Sequence, residues 1–322
     1  MTEAAATAEL IADAGAAAES EEFFRSRPFL DAEGVTHTLR IAIGEAEQLA
    51  PLIVRPIGDG AELDAISPYG YPGLVAPSEV DPPPVWSTSD ARIDPAAIDF
   101  SATGLVSIFI RHRLDRVPLD GAAERNVVQV ADPSLPPKTR GSDRNRINKN
   151  LRLGYGVRIV PGPETTPADR AAFLAAYEQT MRRTAAAQRY FFGAAYFDRI
   201  LESDRTWLAL ADAPDGSVSA ASIAARSDGF LHYYLSGSAD AHLRDSPMKN
   251  VVAELVGLAG ELGLSLNLGG GLARGDRLEE FKRGFANREQ AWLVSEIVCD
   301  RAAYDRLSAG RAAGFFPAYR AS

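Results

Sequence analysis

The sequence has little of what most metal and redox sites are built from. Cys299 is its only cysteine, which excludes disulfides within the chain and cysteine-rich metal sites. The 4 histidines are scattered and show neither His-x-x-x-His nor His-Glu-x-x-His spacing, so a zinc hydrolase is not indicated. A Gly-x-Ser-x-Gly nucleophile motif is missing too. We therefore expect no metal, and no covalent intermediate on serine or cysteine.

Long apolar runs and a basic leader are also absent. No segment is apolar over enough residues to span a bilayer, and the first twenty residues lack the basic start of a secretory signal, so we expect a cytoplasmic protein. The net charge of −9 argues against indiscriminate nucleic-acid binding but leaves room for a local basic site. The hydrophobic content of 46% is ordinary for a globular protein. Because 322 residues exceed the size at which one hydrophobic core usually stops growing, we expect two domains.

The order of elements predicts an α/β protein with mixed sheets. Residues 1–22 are rich in Ala and Glu and predict a flexible tail. Residues 23–155 form the expected first domain, whose strand patterns are Thr38–Ile43, Leu52–Pro56, Gly104–His112 and Asn126–Val130. Residues 156–322, after a boundary near Gly156, form the second. There the pattern is two helices, three strands in close succession, then helix, strand, helix, strand and helix.

The stretch LSLNLGGGLARGDRLEEFKRGF, residues 264–285, carries the most chemical information. A short strand leads into three glycines, which permit unusual backbone conformations and a close approach by another molecule. A mobile loop is the alternative interpretation. The helix upstream has Ser246 as a candidate cap and Pro247 at its first position. We place Ser246 and Asn250 at this helix start as candidate substrate-binding residues, because a helix N-terminus attracts anions.

Two further segments are candidates for substrate binding. Between residues 138 and 158 the apolar pattern stops and seven cations occur, mostly on a predicted helix ending at Gly154. Arg144 and Lys149 are the candidates for binding a phosphate on the acceptor substrate, although a solvated helix face is the alternative. The turn SPYGYPG presents Tyr69 and Tyr71, which would line an acceptor site unless they only cover the core.

Several segments together resemble the FemAB family of acyltransferases, which is related to the GNAT superfamily. They are LHYYLSGSADAHLRDSPMKN, LNLGGG, DRLEEFKRGF, FLAAYEQTMRR with YFFGAAYFDRIL, RNRINKNLRLGYGVRI and SPYGYPG. The resemblance implies tandem GNAT-like domains and transfer of an acyl or aminoacyl group to an amine. Fem-type enzymes take the amino acid from aminoacyl-tRNA and attach it to a peptidoglycan precursor, and relatives modify small molecules in specialised metabolism.

One departure from the wider superfamily bears on the donor. GNAT domains that use CoA usually carry a glycine-rich loop before the central helix, but HLRDSPMK stands there without glycine. This favours aminoacyl-tRNA as donor, with acyl-CoA as the alternative and no further cofactor. The acceptor would be a small-molecule, lipid-linked or nucleotide-linked amine. Because the sequence shows no long charged heptad hairpin, tRNA contact would be limited to the acceptor end. A non-catalytic binding protein with a degenerate GNAT site is the alternative of another class.

The candidate catalytic residues follow from the same segments. The ammonium of Lys282 would hold the donor or offset negative charge on the carbonyl oxygen, and its alternative is an ordinary surface lysine. His232 and Tyr234, on one face of a strand, are candidates to accept the proton of the attacking amine. Phe281 would stack on a base or pack in the core. Gly269 and Gly270 would let the donor lie against the main chain.

Overall fold

The computed structural model describes residues 6–77, 93–312 and 314–321. The strands are β1 (Ala6–Ile11), β2 (His37–Ile43), β3 (Ala46–Pro56), β4 (Leu63–Ile66), β5 (Ile98–Asp99), β6 (Leu105–Arg111), β7 (Ala123–Ala131), β8 (Gly156–Pro161), β9 (Thr206–Asp212), β10 (Val218–Ser227), β11 (Phe230–Ser238), β12 (Ser265–Asn267) and β13 (Arg288–Val298). The helices are α1 (Arg27–Glu33), α2 (Gly141–Leu153), α3 (Pro167–Arg183), α4 (Ala194–Ile200), α5 (Met248–Glu261), α6 (Arg277–Arg283) and α7 (Arg301–Ser308).

The chain folds as two compact units, and the second is inserted into the first. The first unit is Met1–Arg125 with Trp292–Ser322, and the second is Asn126–Ala291. This division differs from the predicted boundary near Gly156 for two reasons. The basic helix α2 packs on the second unit, and β13 pairs with β6 of the first unit, with Ser295 opposite Ile110. Neither long-range contact has a local sequence signal.

Each unit contains a mixed sheet, which confirms the predicted α/β class. In the first unit the strand order is β5-β1-β2-β3-β4-β6-β13, with β1 parallel to β5 and β4 parallel to β6. Its core contains Leu39, Leu52 and Ile108. In the second unit the order is β7-β12-β11-β10-β9-β8, with β11 parallel to β12. Its core contains Val251 and Leu255 of α5 packed against the sheet.

The prediction of a flexible tail over residues 1–22 is wrong for the described residues 6–22. Residues Ala6–Ile11 form β1, which pairs with β2 and β5. Ala6 and Ala8 are buried in the core, and Glu9, the residue after Ala8, faces solvent and binds Arg40. Small alanines on the inner face give a weak hydrophobic alternation, so the strand resembled a polar tail in the sequence. Residues 1–5 lie outside the described residues.

Local sequence signals account for three helix ends of the second unit. Thr166 and Asp169 make the reciprocal capping box that starts α3. Gly154 ends α2 with a φ of 93°, which favours glycine. Asp276 caps α6 by accepting from the N–H of Glu279 at 2.8 Å. These helix ends fix the backbone on which the candidate site stands.

Candidate functional site

The parallel strands β11 and β12 pair over only three positions. Residues 230–232 lie opposite Ser265–Asn267, where β12 ends, whereas β11 continues to Ser238. Beyond these three positions β11 has a bulge at Tyr234. Tyr233 pairs with Ala224 of β10 and Leu235 pairs with Ile223, so Tyr234 is the extra residue in β11. The segment after β12 instead bonds to β7, with the N–H of Gln129 donating to Gly269. The sheet therefore opens beside the glycine triplet, residues 269–271.

Lys282 reaches from the end of α6 to this triplet. Its Nζ donates to the carbonyl oxygen of Gly270 at 2.6 Å, and only 7% of the residue is exposed. Burial lowers the pKa of Lys282 to about 8, while the Asp276 carboxylate acts in the opposite direction. With that pKa the amine is still about 90% protonated at pH 7. A buried cation thus lies on the glycine backbone.

The three glycines are needed for contacts within the protein itself. A Cβ on Gly269 would lie 3.1 Å from Lys282 Nζ, and φ at Gly269 is +73°. On Gly270 it would lie 2.6 Å from Asn126 Nδ2, and on Gly271 2.4 Å from Asp276 Oδ1. Side chains of the same chain therefore fill the space that the sequence interpretation left open for a donor.

His232 is enclosed and both of its ring nitrogens are engaged. Its Nε2 lies 3.3 Å from the carbonyl oxygen of Ser227, and its Nδ1 lies 3.0 Å from Asn267 Nδ2. Because a carbonyl oxygen only accepts, Nε2 carries the proton and Nδ1 accepts. Burial lowers the pKa of His232 to about 4. The ring is therefore neutral at physiological pH with its lone pair occupied, a poor arrangement for a general base.

Asn267 is the site residue that sequence reasoning missed. Its side chain is buried, its Nδ2 donates to His232, and its Oδ1 accepts from the N–H of Gly269 at 2.8 Å. Asn126 supports the same segment by donating to the carbonyl oxygen of Gly271 at 2.9 Å. The available signal was an amide side chain between two leucines in LNL, since a buried polar residue requires partners.

The two tyrosines after His232 point to opposite sides of the sheet, as the alternation predicts. Tyr233 packs into the core under α5, and burial raises its pKa to about 12. Tyr234 lies at the bulge, and its hydroxyl is 2.8 Å from that of Tyr196 in α4. Phe281 contacts Phe285 with ring centroids 5.8 Å apart and packs against the core. This contact matches the core alternative for Phe281.

The basic helix α2 has a polar inner face and a cationic outer face. Asp143 is buried and pairs with Lys249 of α5 at 2.8 Å, and Asn150 donates to Asn250 Oδ1 at 2.8 Å. Arg144 and Lys149 are exposed. The helix start lies against α6, because the N–H of Arg140 donates to the carbonyl oxygen of Gly284. The structure thus places Arg144 and Lys149 on a helix adjoining the one that carries Lys282.

The turn before α5 differs from the prediction. Ser246 does not cap the helix through its side chain; it adopts a φ of 50° and ends the preceding 3₁₀ segment, because Pro247 is the residue at the helix boundary. The N–H of Lys249 donates to the Ser246 carbonyl, and that of Asn250 to the Pro247 carbonyl. The Asn250 side chain is buried against α2. The structure therefore does not bring Ser246 and Asn250 to Lys282.

Tyr69 and Tyr71 lie in the first unit, on a turn shaped by its packing. A Cβ on Gly70 would lie 2.3 Å from the Phe24 ring. Tyr71 makes edge contacts with Phe24 and Trp292, both with ring centroids 5.5 Å apart. The N–H of Tyr69 donates to Glu33. These contacts hold the turn within its own unit, in agreement with the packed-turn alternative.

No group of three or more His, Cys, Asp or Glu side chains stands close enough together to hold a metal within residues 6–77, 93–312 and 314–321. Within the same part of the chain, every helix is too short or too polar to cross a bilayer.

Comparison with known proteins agrees with this geometry. Residues 137–283 match the model of the acetyltransferase (GNAT) domain family, which spans α2 to α6 and includes Lys282. No curated protein matches the sequence. The structure is similar to FemX, with a TM-score of 0.59 and 11% identity over 84% of this chain and 90% of FemX. It is also similar to L-PGS from Bacillus licheniformis, with a TM-score of 0.52 and 12% identity over 79% of this chain and 82% of L-PGS.

The second unit is thus an acyltransferase domain of the GNAT type, and the protein is an acyltransferase. The likeness to FemX extends over both units and confirms the predicted FemAB-like fold. At 11% identity it identifies the fold and leaves the donor and the acceptor to be inferred from the site.

Proposed function

We propose that the protein transfers an aminoacyl group from aminoacyl-tRNA to the amine of a small-molecule or cell-wall-precursor acceptor, forming an amide. The observation that carries the proposal is the buried ammonium of Lys282 on the Gly270 carbonyl, at the opening of the sheet. Among the described residues, Gly270 is its hydrogen-bond partner, so further N–H groups of the ammonium are available to a ligand.

The reaction needs little covalent help from the protein. The amine nitrogen attacks the ester carbonyl, and a tetrahedral intermediate forms whose oxygen carries negative charge. Lys282 donates to that oxygen and stabilises the charge in a site from which water is largely excluded. The ester C–O bond then breaks. The amine loses a proton, the ribose oxygen of the tRNA gains one, and an amide remains. Water or the substrate itself carries the proton, since His232 is neutral with its lone pair engaged.

Two features support aminoacyl-tRNA as the donor. The first amides of α5, where a CoA pyrophosphate would be expected, donate to the carbonyl oxygens of Ser246 and Pro247. The outer face of α2 carries Arg144, Lys149 and Arg152, all exposed, and suits a polyanion better than a single phosphate. In a protein of net charge −9 this local concentration of cations favours a nucleic-acid backbone near the site.

An acyl-CoA-dependent N-acyltransferase is the second candidate. The family model that matches residues 137–283 is described as an acetyltransferase domain, and this observation favours it. Lys282 would serve the same purpose with a thioester, since that carbonyl also develops negative charge. The two candidates therefore differ in the donor and share the catalytic group.

A donor competition separates the candidates. Total tRNA charged with labelled amino acids, and labelled acetyl-CoA, are offered in parallel with a panel of amino sugars, amino acids and peptides. We expect label from tRNA in a product that survives mild alkali, as an amide does and an ester does not, and ribonuclease pretreatment should abolish transfer. Transfer from the thioester alone would overturn the tRNA proposal in favour of the second candidate.

Two lysine variants test whether the site is catalytic. Lys282→Ala should lower turnover about 10²- to 10³-fold, the usual range for losing a donor to an oxyanion. Lys138→Ala removes an exposed lysine of the same unit and should leave turnover unchanged. Equal ligand binding by both variants without turnover from any donor would instead indicate a non-catalytic binding protein.

A further inference from the structure

We propose that Asn267 and His232 are positioning residues of the transfer site, which hold Gly269 and Gly270 in the conformation that receives Lys282. A continuous series of hydrogen bonds runs from the Ser227 carbonyl through both side chains to the Gly269 N–H. The term transfer site rests on the proposed function, whereas the series of hydrogen bonds does not.

The donor and acceptor roles along this series of hydrogen bonds are fixed by the groups at its two ends. Ser227 supplies a carbonyl oxygen at one end and Gly269 an N–H at the other, so the first group only accepts and the last only donates. His232 must therefore present its N–H to Ser227 and its lone pair to Asn267. Asn267 must then turn its amide nitrogen to His232 and its oxygen to Gly269. A proton on His232 Nδ1 would face the amide N–H group of Asn267, so two donors would oppose each other and the hydrogen bond between these side chains would be lost.

Burial gives this arrangement its strength. Asn267 is 1% exposed and His232 2% exposed, so water does not replace a lost partner. The Lys282 ammonium lies at the Gly269 end of the series, and two carboxylates act on its ends, Asp228 on His232 and Asp276 on Lys282. Each lies at one end, so neither interrupts the neutral series between them.

The Gly269 turn links the series to the catalytic group. Gly269 has a φ of +73°, which glycine adopts readily, and its N–H donates to Asn267 Oδ1 at 2.8 Å, which fixes the turn. The Gly269 carbonyl oxygen accepts from the N–H of Gln129, and the carbonyl oxygen of the following residue, Gly270, accepts from Lys282 Nζ at 2.6 Å. A change in the Gly269 turn therefore moves the acceptor of Lys282 and admits water to its amine. Burial is the largest cause of the lowered pKa of Lys282, so admitting water raises it.

The chain offers an unusually simple way to measure this effect. It contains four lysines, namely Lys138, Lys149, Lys249 and Lys282. Protein labelled with ¹³C at lysine Cε would give four signals to titrate, and a Lys282→Arg variant assigns one of them. The pKa of Lys282 can thus be followed in the full-length protein without any substrate.

Three variants and one control complete the test. His232→Asn places a carbonyl oxygen near the position of Nδ1, so it keeps an acceptor for Asn267, whereas His232→Leu and Asn267→Ala break the series. Thr166→Ala is the control, since it removes the side-chain cap of α3 in the same unit, far along the chain from the series. Thermal unfolding followed by circular dichroism shows which variants remain folded.

We expect the Lys282 pKa near 8 in wild type, His232→Asn and Thr166→Ala, and at least one unit higher in His232→Leu and Asn267→Ala. In the transfer assay the two disruptive variants should lose about 10- to 100-fold in kcat with KM changed by less than about threefold. Unchanged titration of Lys282 in both folded disruptive variants, or an equal shift in Thr166→Ala, would overturn the positioning role. Titration decides this even if no donor supports transfer.

Discussion

Replacing Lys282 by methionine should make the folded protein more stable at neutral pH while lowering turnover about 10²- to 10³-fold. The pKa of Lys282 is about 8, against an ordinary value of 10.5. At about 1.36 kcal/mol per pKa unit, keeping this amine charged when buried destabilises the folded state by about 3 kcal/mol. Methionine removes the charge but leaves the Gly270 carbonyl without its donor, a loss of about 1 to 2 kcal/mol. The expected net gain at pH 7 is therefore about 1 to 2 kcal/mol.

The pH dependence has a definite sign. The folded pKa of Lys282 lies below the unfolded one, so between about pH 8 and pH 10.5 the unfolded state binds more protons and wild-type stability rises with pH. The destabilisation is fully present below about pH 8 and disappears near pH 10.5. Because the variant lacks the titrating amine, its advantage should shrink over this window and reverse near pH 10.5, where only the lost hydrogen bond remains.

Urea unfolding followed by circular dichroism at pH 7 and pH 10 measures the difference between wild type and Lys282→Met. Lys138→Met is the matched control, because Lys138 is exposed and its replacement should give no pH-dependent difference. A Lys282→Met protein that is less stable than wild type by the same amount at both pH values would refute the reasoning. It would mean that the amine is solvated, and the case for a buried catalytic cation would fail with it.

Three further predictions test other parts of the molecule. Gly284→Ala should lower the free energy of unfolding by about 1 to 3 kcal/mol, since its Cβ would lie 2.3 Å from Asp143 Oδ2. Calorimetry measures this change, and an unchanged free energy of unfolding would mean that Asp143 of α2 does not lie against Gly284. Ala8→Asp should strongly destabilise the first unit by burying a carboxylate, whereas Glu9→Ala should lower the free energy of unfolding by less than about 1 kcal/mol. Equal melting temperatures of the two variants would mean that this segment is a tail. Arg144→Glu should weaken tRNA binding and reduce its salt dependence in filter binding, and an unchanged salt slope would remove α2 from the donor site.

Local chemistry made several parts of the fold predictable from the sequence. The Thr166 capping box, the Gly154 helix end and the alternation that separates Tyr233 from Tyr234 each depend on neighbours within a few residues. Such contacts involve only residues that are close to one another in the sequence. The proximity of Lys282 to the triplet was also readable, because a twelve-residue separation between Gly270 and Lys282 includes only one turn and one short helix.

The parts that the sequence concealed depend on distant partners. His232 looked like a candidate base because nothing in its own strand shows that Asn267, 35 residues later, occupies its lone pair. The glycine triplet looked open because its covering residues include Asn126, which precedes it by more than 140 residues. Burial also depends on the whole fold, so a pKa of about 4 for His232 could not be inferred from the local residues.

A gain in stability on replacement of Lys282, together with a loss of turnover, would distinguish the catalytic proposal from the non-catalytic alternative. The buried charged amine of Lys282 destabilises the folded state by about 3 kcal/mol. A binding protein that did not use Lys282 for its ligand would gain nothing that offsets this loss. An acyltransferase gains transition-state stabilisation, for which one oxyanion donor contributes about 3 to 4 kcal/mol. Because the two magnitudes are similar, stability and turnover should respond in opposite directions to the same substitution, a pattern that a merely structural lysine does not produce.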